Sequence, residues 1–193
     1  MVNVNCKDKS LVLIDDSNVY YGFKKYRWEL DYEKFYYWLR SNFEVLDIYF
    51  FGGIISKKTF FDRYPANTLS GFIEYKDKRH KFFKLLKKIG YKVRTKPVSS
   101  LYDSTRGEYK RKCNFDVEIT IVALDKLDHY KELILCSGDG DFTKLLKYIK
   151  GKYKKATIIA HKDRLNWQLL KTANKVIFFE DMRKGLEKRK GLP

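Results

Sequence analysis

The sequence predicts an α/β fold around a central, mainly parallel sheet of five to six strands. Short apolar runs of the β type alternate with longer stretches of helical periodicity along the 193 residues, as in the βαβ units that build a parallel sheet. The first run, Leu11-Val12-Leu13-Ile14, is apolar at every position, which is typical of a strand covered on both faces. A chain of this length suits one domain with its own core.

The first half of the chain contains three predicted strands and two predicted helices. The strands cover residues 11–14, 48–51 and 91–95, and the helical stripes cover residues 32–39 and 82–89. Asp31 precedes the first of these helices and has the side chain of an N-cap. The pair Gly52-Gly53 is expected to stop the second strand, and Pro97 is expected to close the third.

The second half begins with a polar stretch, residues 97–112, that is predicted to be an exposed loop. Residues 115–127 are apolar on nearly every side, so this helix is expected to be largely buried. Strands follow at residues 133–136, 157–160 and 176–179, and helices at residues 142–149 and 165–173. Residues 181–193 are a basic C-terminal tail, expected to be a frayed helix.

The net charge of +17 and the sequence pI of about 9.6 indicate a polyanionic partner, and nucleic acid is the commonest one. A lysine-rich bias of the source genome is the alternative explanation for the total charge.

The first ten residues lack the apolar core of a secretory signal, and no apolar run reaches membrane-spanning length. Three cysteines without a CxxC spacing argue against disulfides and a zinc knuckle. We therefore expect a cytoplasmic protein without membrane attachment.

Carboxylates follow two of the predicted strands and open one of the helices. Asp15 and Asp16 come directly after the first strand. Asp139 and Asp141 come directly after the fourth, and Asp116 opens the helix after the polar stretch. With a strand order of 3-2-1-4-5, the first and fourth strands are neighbours at the point where the order reverses, and ligands bind beyond the carboxyl ends there. Clustered carboxylates repel unless a cation is present, and Mg²⁺ or Mn²⁺ prefers such ligands.

Some members of this acidic group have alternative roles. Asp141 could cap the helix that starts at Phe142 instead of binding a metal, and the sequence leaves both roles open. Asp16 is expected to be exposed or to form a turn, because adjacent side chains rarely point at one ion. Gly138 and Gly140 are expected to let the backbone turn sharply from strand to helix.

Three segments, taken in order, resemble the NYN domain, a PIN-like nuclease domain, in its LabA-like branch. They are Ile14-Asp15-Asp16-Ser17-Asn18, Phe115-Asp116-Val117 and Ser137-Gly138-Asp139-Gly140-Asp141-Phe142. The resemblance extends over nearly the whole chain. It implies a PIN-like three-layer sandwich, a single domain over residues 1–180, and metal-dependent cleavage of RNA phosphodiester bonds.

The resemblance also implies roles for individual residues. Asp15, Asp116, Asp139 and Asp141 would be the catalytic acids that bind Mg²⁺ or Mn²⁺. Asn18 and Ser137 would orient an acid or a substrate phosphate. The chain departs from the family pattern at Asp16, where many relatives have Gly, and at Cys113, where many have Lys. The role of that lysine is therefore lost or passes to Lys112.

The predicted substrate is single-stranded RNA, and a homodimer stays open as a second partner. Four basic residues shortly before Asp116 are the first candidates for contacts with phosphates; they are Arg106, Lys110, Arg111 and Lys112. A second candidate patch contains Lys57, Lys58 and Arg63.

Two other functions are weighed against ribonuclease activity: a non-catalytic RNA-binding module and a haloacid-dehalogenase-type phosphatase. The latter needs an acid two residues after its nucleophilic Asp, where this chain has Ser17 or Asn18.

Overall fold

The computed structural model describes residues 8–63 and 68–189, and its centre is one sheet of seven strands. The strands are β1 (Ser10–Asp15), β2 (Val45–Ile55), β3 (Lys92–Asp103), β4 (Glu108–Lys112), β5 (Glu132–Cys136), β6 (Lys155–Ala160) and β7 (Lys175–Phe178). Their order is β4-β3-β2-β1-β5-β6-β7. All neighbours pair in parallel except β3 and β4. The α/β class and the mainly parallel sheet are confirmed, whereas the count of five to six strands is wrong.

Helices cover both faces of the sheet. They are α1 (Asp16–Tyr26), α2 (Tyr32–Asn42), α3 (Lys57–Arg63), α4 (Leu69–Ile89), α5 (Asp116–Asp125), α6 (Thr143–Gly151), α7 (Trp167–Thr172) and α8 (Arg183–Leu186). Asp31 caps α2 as predicted, since its carboxylate accepts the N–H groups of Glu33 and Lys34 at 3.1 Å each. Over residues 8–63 and 68–189, no helix is both long and apolar enough to cross a bilayer.

Two apolar cores lie on opposite faces of the sheet, because successive residues of a strand point to opposite sides. Leu11 and Leu13 of β1 belong to the core that α5, α6 and α7 cover. Val12 and Ile14 belong to the core that α1, α2, α4 and α8 cover. The buried apolar run of β1 is thus explained, and the layering is consistent with a PIN-like arrangement.

The predicted loop over residues 97–112 is instead a β-hairpin. β3 continues through Pro97 to Asp103, and β4 returns antiparallel to it, with Tyr102 opposite Tyr109. Only β2 pairs with β3 at Pro97, since the β4 ladder begins at Ser99, and proline is tolerated at such a one-sided position. Gly107 closes the turn with a φ of +63°. The polarity that suggested a loop reflects a hairpin that has little core to cover.

Gly52 and Gly53 do not end the second strand, which runs on to Ile55. Both glycines make room for neighbours. A Cβ on Gly52 would lie 2.9 Å from the Phe83 ring, and one on Gly53 would lie 2.6 Å from Val98. Small residues are required here for close packing and do not signal a break.

The helix at residues 115–127 is less buried than its composition predicts. α5 buries Ile119 and Ala123, but Val117 is 68% exposed and Ile121 is 58% exposed. The sheet covers one side of α5, and no described element covers the other side. The expectation of a largely buried helix is therefore wrong.

The described part of the C-terminal tail is packed against the domain. Leu186 of α8 is buried in the core beneath α1 and α2. The Leu186 carbonyl accepts the Asp31 N–H at 2.8 Å, and the Lys188 N–H donates to the Glu29 carbonyl at 2.8 Å. Residues 190–193 lie outside the described part of the chain. The charged composition of residues 181–193 gave no sign that Leu186 packs into the core.

Candidate metal centre

The acidic residues meet at the carboxyl edge of the sheet, where β1 and β5 are neighbours. Ile14 pairs with Cys136 in the parallel ladder, so Asp15 and Ser137 follow at the same level. The sequence predicted that the first strand and the strand at residues 133–136 are neighbours, and the pairing of β1 with β5 confirms this. The order of the strands reverses beside β1, which is where open α/β sheets bind ligands.

Asp15 is the last residue of β1 and the N-cap of α1. Its Oδ1 accepts the Ser17 N–H at 3.1 Å, the Ser17 hydroxyl at 2.8 Å and the Asn18 N–H at 3.4 Å. Its Oδ2 accepts the Ser137 hydroxyl at 3.2 Å. Burial raises the pKa of Asp15, and these hydrogen bonds oppose that shift. Asp15 is therefore a fixed anchor between β1, α1 and β5.

Ser137 connects Asp15 to the acidic loop that follows β5. Its hydroxyl also accepts the Asp139 N–H at 3.2 Å. Asp139 in turn uses Oδ1 to accept the Asp141 N–H at 3.1 Å. Asn18 holds the same loop from α1, since its Oδ1 accepts the Gly138 N–H at 3.0 Å. A chain of hydrogen bonds thus runs from the end of β1 to Asp141 and fixes the loop.

Three carboxylates converge in front of this loop. Asp116, Asp139 and Asp141 each offer an oxygen, and these oxygens lie within 4.8 Å of one another. Burial raises the pKa of Asp116, and the charges of Asp139, Asp15 and Asp141 raise it further. The Asn114 amide opposes this shift by donating to Asp116 Oδ2 at 2.6 Å. Clustered acids of this kind fit a hard divalent cation, which removes their mutual repulsion.

Asp15 is not a member of this group of three, so the four predicted acids divide into two sets. Hydrogen bonds from Ser17, Asn18 and Ser137 occupy both of its oxygens. Its charge nevertheless contributes to the raised pKa of Asp116. Direct coordination of a metal by Asp15 stays a prediction.

The capping role of Asp141 is not realised. Asp139 caps the short 3-10 turn Gly140–Phe142, and α6 begins at Thr143 without a side-chain cap. The carboxylate of Asp141 is exposed and belongs to the group of three converging acids.

Asp16 is buried, contrary to the expectation of an exposed or turn-forming residue. Its Oδ2 accepts a hydrogen bond from Arg79 Nη2 of α4 in an ion pair on the opposite side of the sheet. Burial raises the pKa of Asp16, and Arg79 opposes this shift. The adjacent acids Asp15 and Asp16 therefore have different environments and different roles.

The four predicted phosphate-binding residues belong to the hairpin. Arg106 lies in its turn, and Lys110, Arg111 and Lys112 lie on β4. Lys110 forms an ion pair with Asp103 across the hairpin, and its hydrogen bond lowers the pKa of Asp103 to about 2. The side chain of Arg111 lies outside the described part of the structure, as does that of Arg63 in the second predicted patch. Lys57 and Lys58 are exposed on α3.

Lys96 is a basic residue beside the start of α5 that the sequence did not identify as a candidate. Its Nζ donates to Glu118 at 2.6 Å and lies 4.7 Å from the centre of the Phe115 ring. Both partners flank Asp116. Lys96 lies 20 residues before Asp116 in the sequence, so its contacts with Phe115 and Glu118 arise only in the folded chain.

Gly138 and Gly140 are required for close packing rather than for an unusual backbone conformation. Neither has a positive φ. A Cβ on Gly138 would lie 2.2 Å from the Arg164 carbonyl oxygen, and one on Gly140 would lie 2.6 Å from Asn166 Nδ2. The Asn166 N–H also donates to the Gly138 carbonyl at 2.9 Å. The segment between β6 and α7 therefore supports the acidic loop from outside.

We expect Gly138→Ala to destabilise the protein by about 2–3 kcal/mol, because overpacking against backbone atoms forces the loop to move. The displaced loop should also weaken metal binding. Gly151→Ala is the control, since it adds a methyl group that meets nothing within 4 Å and should leave stability equal or slightly higher. Urea denaturation of both variants measures the difference. Equal stabilities would contradict the packing role of Gly138.

Comparisons with known proteins agree with this geometry. The family model of the NYN domain matches residues 9–181. The chain is 26% identical over 180 residues to the low amplitude and bright protein LabA of Synechococcus elongatus, covering 92% of this chain and 87% of that protein. It is also similar to a crystal structure of a protein of unknown function from Vibrio parahaemolyticus, with a TM-score of 0.70 and 25% identity. That match covers 96% of this chain and 99% of the other.

Proposed function

Since the chain belongs to the NYN-domain family, whose members are generally nucleases, we propose that it is a metal-dependent ribonuclease acting on single-stranded RNA. The observation that carries the proposal is the convergence of Asp116, Asp139 and Asp141 from two separate segments. Hydrogen bonds through Ser137 and Asp15 hold that arrangement in place. A capping role would explain one acid but not three.

Asp116, Asp139 and Asp141 would hold the ion, and their oxygen donors fit Mg²⁺ or Mn²⁺. When bound, such an ion activates water and stabilises the charge that develops on a phosphodiester oxygen. Asp15 and Ser137 orient Asp139, and Asn18 fixes the backbone of Gly138. Preorganised ligands of this kind need no rearrangement when substrate binds.

Positive charge on the hairpin supports RNA as the substrate. Arg106, Lys110, Arg111 and Lys112 are proposed to contact phosphates, which a chain of net charge +17 attracts in general. Lys96, which pairs with Glu118 and whose charge acts on Cys113, is proposed to take over the role of the lysine that many relatives have at the position of Cys113. The proposal locates this activity in the cytoplasm, and a homodimer is compatible with it.

The two rival functions have distinguishable outcomes. A non-catalytic RNA-binding module would bind single-stranded RNA but leave it intact in the presence of Mn²⁺. A haloacid-dehalogenase-type phosphatase would form an aspartyl-phosphate on Asp15 or Asp16. Ser17, which donates to Asp15, stands where that class of enzyme needs a second carboxylate, and Arg79 already neutralises Asp16.

Removal and addition of metal test the proposal. With Mn²⁺ at about 100 times its Kd, we expect about 2.7 kcal/mol of added stability, a rise in Tm of about 5–10 °C for a chain of this length. The same ion should support cleavage of single-stranded RNA, and EDTA should abolish both effects. Calorimetry and a gel assay measure them on one preparation. Cleavage that persists in EDTA would contradict a metal-dependent mechanism.

The metal-induced rise in Tm should shrink as the pH falls. Protons compete with the ion for the carboxylates. Because burial and neighbouring charges raise the pKa of Asp116, this acid takes up its proton at a higher pH than an ordinary Asp. The rise in Tm should therefore begin to fall at a higher pH than it would at a site of unperturbed acids, and calorimetry over a series of pH values measures this.

A further inference from the structure

The β-hairpin of residues 99–112 carries an exposed pair of tyrosines at its outer end. Tyr102 and Tyr109 are directly opposite each other in the β3–β4 ladder, with ring centroids 5.1 Å apart. Tyr102 is 60% exposed and Tyr109 is 38% exposed. Exposure alone does not identify a binding surface, since Tyr20 and Tyr21 form an equally exposed pair. The position of the hairpin and its charge decide what the pair can bind.

The tyrosine pair lies on the same side of the sheet as the metal centre. Side chains alternate along a strand, so Lys96 and Tyr102 share one face of β3. Lys96 contacts Phe115 and Glu118, which flank Asp116 at the start of α5. The face that begins beside the acids therefore continues along the hairpin to the tyrosines.

The strand register gives the separation. Asp15 pairs with Phe51, and Phe51 pairs with Arg94, so Arg94 lies at the level of the acidic edge. Asp116 lies further along, since Lys96 contacts its neighbours Phe115 and Glu118. Tyr102 is six residues beyond Lys96 on β3, which corresponds to roughly 20 Å at about 3.3 Å per residue. A stacked single strand advances about 3.4 Å per nucleotide, so the tyrosines lie about six nucleotides from the acids.

The charge on the hairpin identifies the occupant as a polyanion. Residues 99–112 contain four basic and two acidic residues, so the hairpin carries a net positive charge. Arg106 is exposed in the turn, and Arg111, which pairs with Ser100, occupies a position on the tyrosine face. Lys110 and Lys112 occupy the other face, and Lys110 is balanced by Asp103. Aromatic rings beside a basic strand are the combination that binds single-stranded nucleic acid, because every unpaired base has a face that can stack. Bases of a duplex are already stacked and cannot insert between or upon the rings.

We propose that Tyr102 and Tyr109 form a stacking platform for unpaired bases of an RNA strand whose scissile phosphate lies at the acidic cluster. The proposal rests on the proposed ribonuclease function for the direction of the strand. It gives the hairpin a specific role, which is to select single-stranded substrates long enough to reach from the acids to the platform.

The test measures binding first, without turnover. Fluorescence anisotropy in EDTA compares a labelled 14-nucleotide single strand with a duplex of equal length. Y102T/Y109T removes both rings and keeps the high strand propensity of the positions, and it should bind the single strand about ten- to a hundredfold more weakly. Y102F/Y109F keeps the rings and should bind as the wild type does. Y37A/Y153A removes two tyrosines exposed elsewhere and should also bind normally.

Substrate length provides the second measurement. In Mn²⁺, Y102T/Y109T should lose about ten- to a hundredfold in kcat/KM on a 14-nucleotide RNA, since it loses the same stacking. Its kcat/KM on a 4-nucleotide RNA should be unchanged, because this RNA cannot reach the platform.

Each outcome separates the platform from the proposed ribonuclease activity. Unchanged binding by Y102T/Y109T would overturn the platform and leave the rings as a pair that only stabilises the hairpin. An equal loss on single strand and duplex would also overturn it, since attraction by charge alone would then explain the binding. Ring-dependent binding without any cleavage would support the platform while the ribonuclease function fails.

Discussion

Asp139→Asn should reduce metal-dependent RNA cleavage by at least about a hundredfold, the scale at which removal of a single stabilising group acts on a charged transition state. Asn keeps an oxygen that can accept the Asp141 N–H, as Asp139 Oδ1 does. The loop should therefore keep its shape. What disappears is one of the three negative charges that face the proposed ion, so the loss should appear in activity and metal affinity rather than in folding.

Asp125→Asn is the matched control for this substitution. Asp125 is the last residue of α5 and is exposed, and it does not belong to the group of converging acids. Both variants should keep the Tm of the metal-free wild type within about 2 °C, because neutral changes at exposed positions cost little. Single-turnover cleavage of labelled RNA in Mn²⁺ measures the rates. If Asp139→Asn cuts as fast as Asp125→Asn, the acidic cluster is not the active centre.

Arg79→Met should destabilise the protein by about 3 kcal/mol, because removing one partner of a buried ion pair leaves an uncompensated charge. Arg79 of α4 forms a direct ion pair with Asp16, and only 21% and 11% of these two side chains are exposed. Met retains the approximate length of the arginine stem, but the guanidinium carbon, which lies 5.5 Å from the centre of the Phe82 ring and 4.4 Å from that of Phe83, is removed. The pH dependence of the loss separates the charge of Asp16 from these ring contacts.

The penalty should depend on pH with a definite sign. Burial already raises the pKa of Asp16, and loss of Arg79 removes the main influence that opposes this shift. An acid with a raised pKa in the folded state costs stability above that pKa, and the cost disappears as the pH falls toward its ordinary value of about 3.9. Urea denaturation should show the difference between Arg79→Met and wild type shrinking from pH 7 to pH 4.

Two further variants isolate the buried charge. D16N/R79M lacks both charges and should recover at least half of the stability that Arg79→Met loses. Lys78→Met removes the neighbouring cation on the same helix, which pairs with Glu74 in solvent, and should cost no more than about 0.5 kcal/mol. A loss that is the same at pH 7 and pH 4 would mean that packing, not the charge of Asp16, explains the effect.

The ion pair also matters for the metal centre. Asp16 is the first residue of α1, directly after Asp15, the cap that Ser137 binds. Arg79 anchors this turn to α4 through Asp16. The extra acid that departs from the family pattern is therefore a structural partner on the far side of the sheet, and it adds no ligand to the cluster.

The sequence predicted correctly the features that depend on local pattern and on strand order. A fully apolar run marks β1 as a central strand, and the placement of acids after β1 and β5 follows from the parallel arrangement of neighbours. The helix after Asp31 was predicted from its apolar stripe over residues 32–39 and from its cap. Each of these inferences needs only residues close together in the chain, or the rule that carboxyl ends of parallel strands meet at one edge.

The errors concern features that distant residues decide. The residues next to Gly52 in the sequence do not show that Phe83 and Arg79 pack against it in the fold. Gly52 and Gly53 were therefore taken as the end of the second strand, although β2 continues to Ile55. Residues 97–112 are polar on both faces because the hairpin extends beyond the core, and polarity of that kind is typical of a loop as well. α1 and α3 were not predicted, since their apolar stripes are short.

The sequence by itself determined the α/β class, the NYN-type order of acids and the edge of the sheet at which they meet. Only the tertiary structure decided which acids converge. It groups Asp116 with Asp139 and Asp141, makes Asp15 an anchor and turns Asp16 toward Arg79. The reason is physical: strand order fixes where a backbone segment ends, but packing and charge from other segments fix where each carboxylate points.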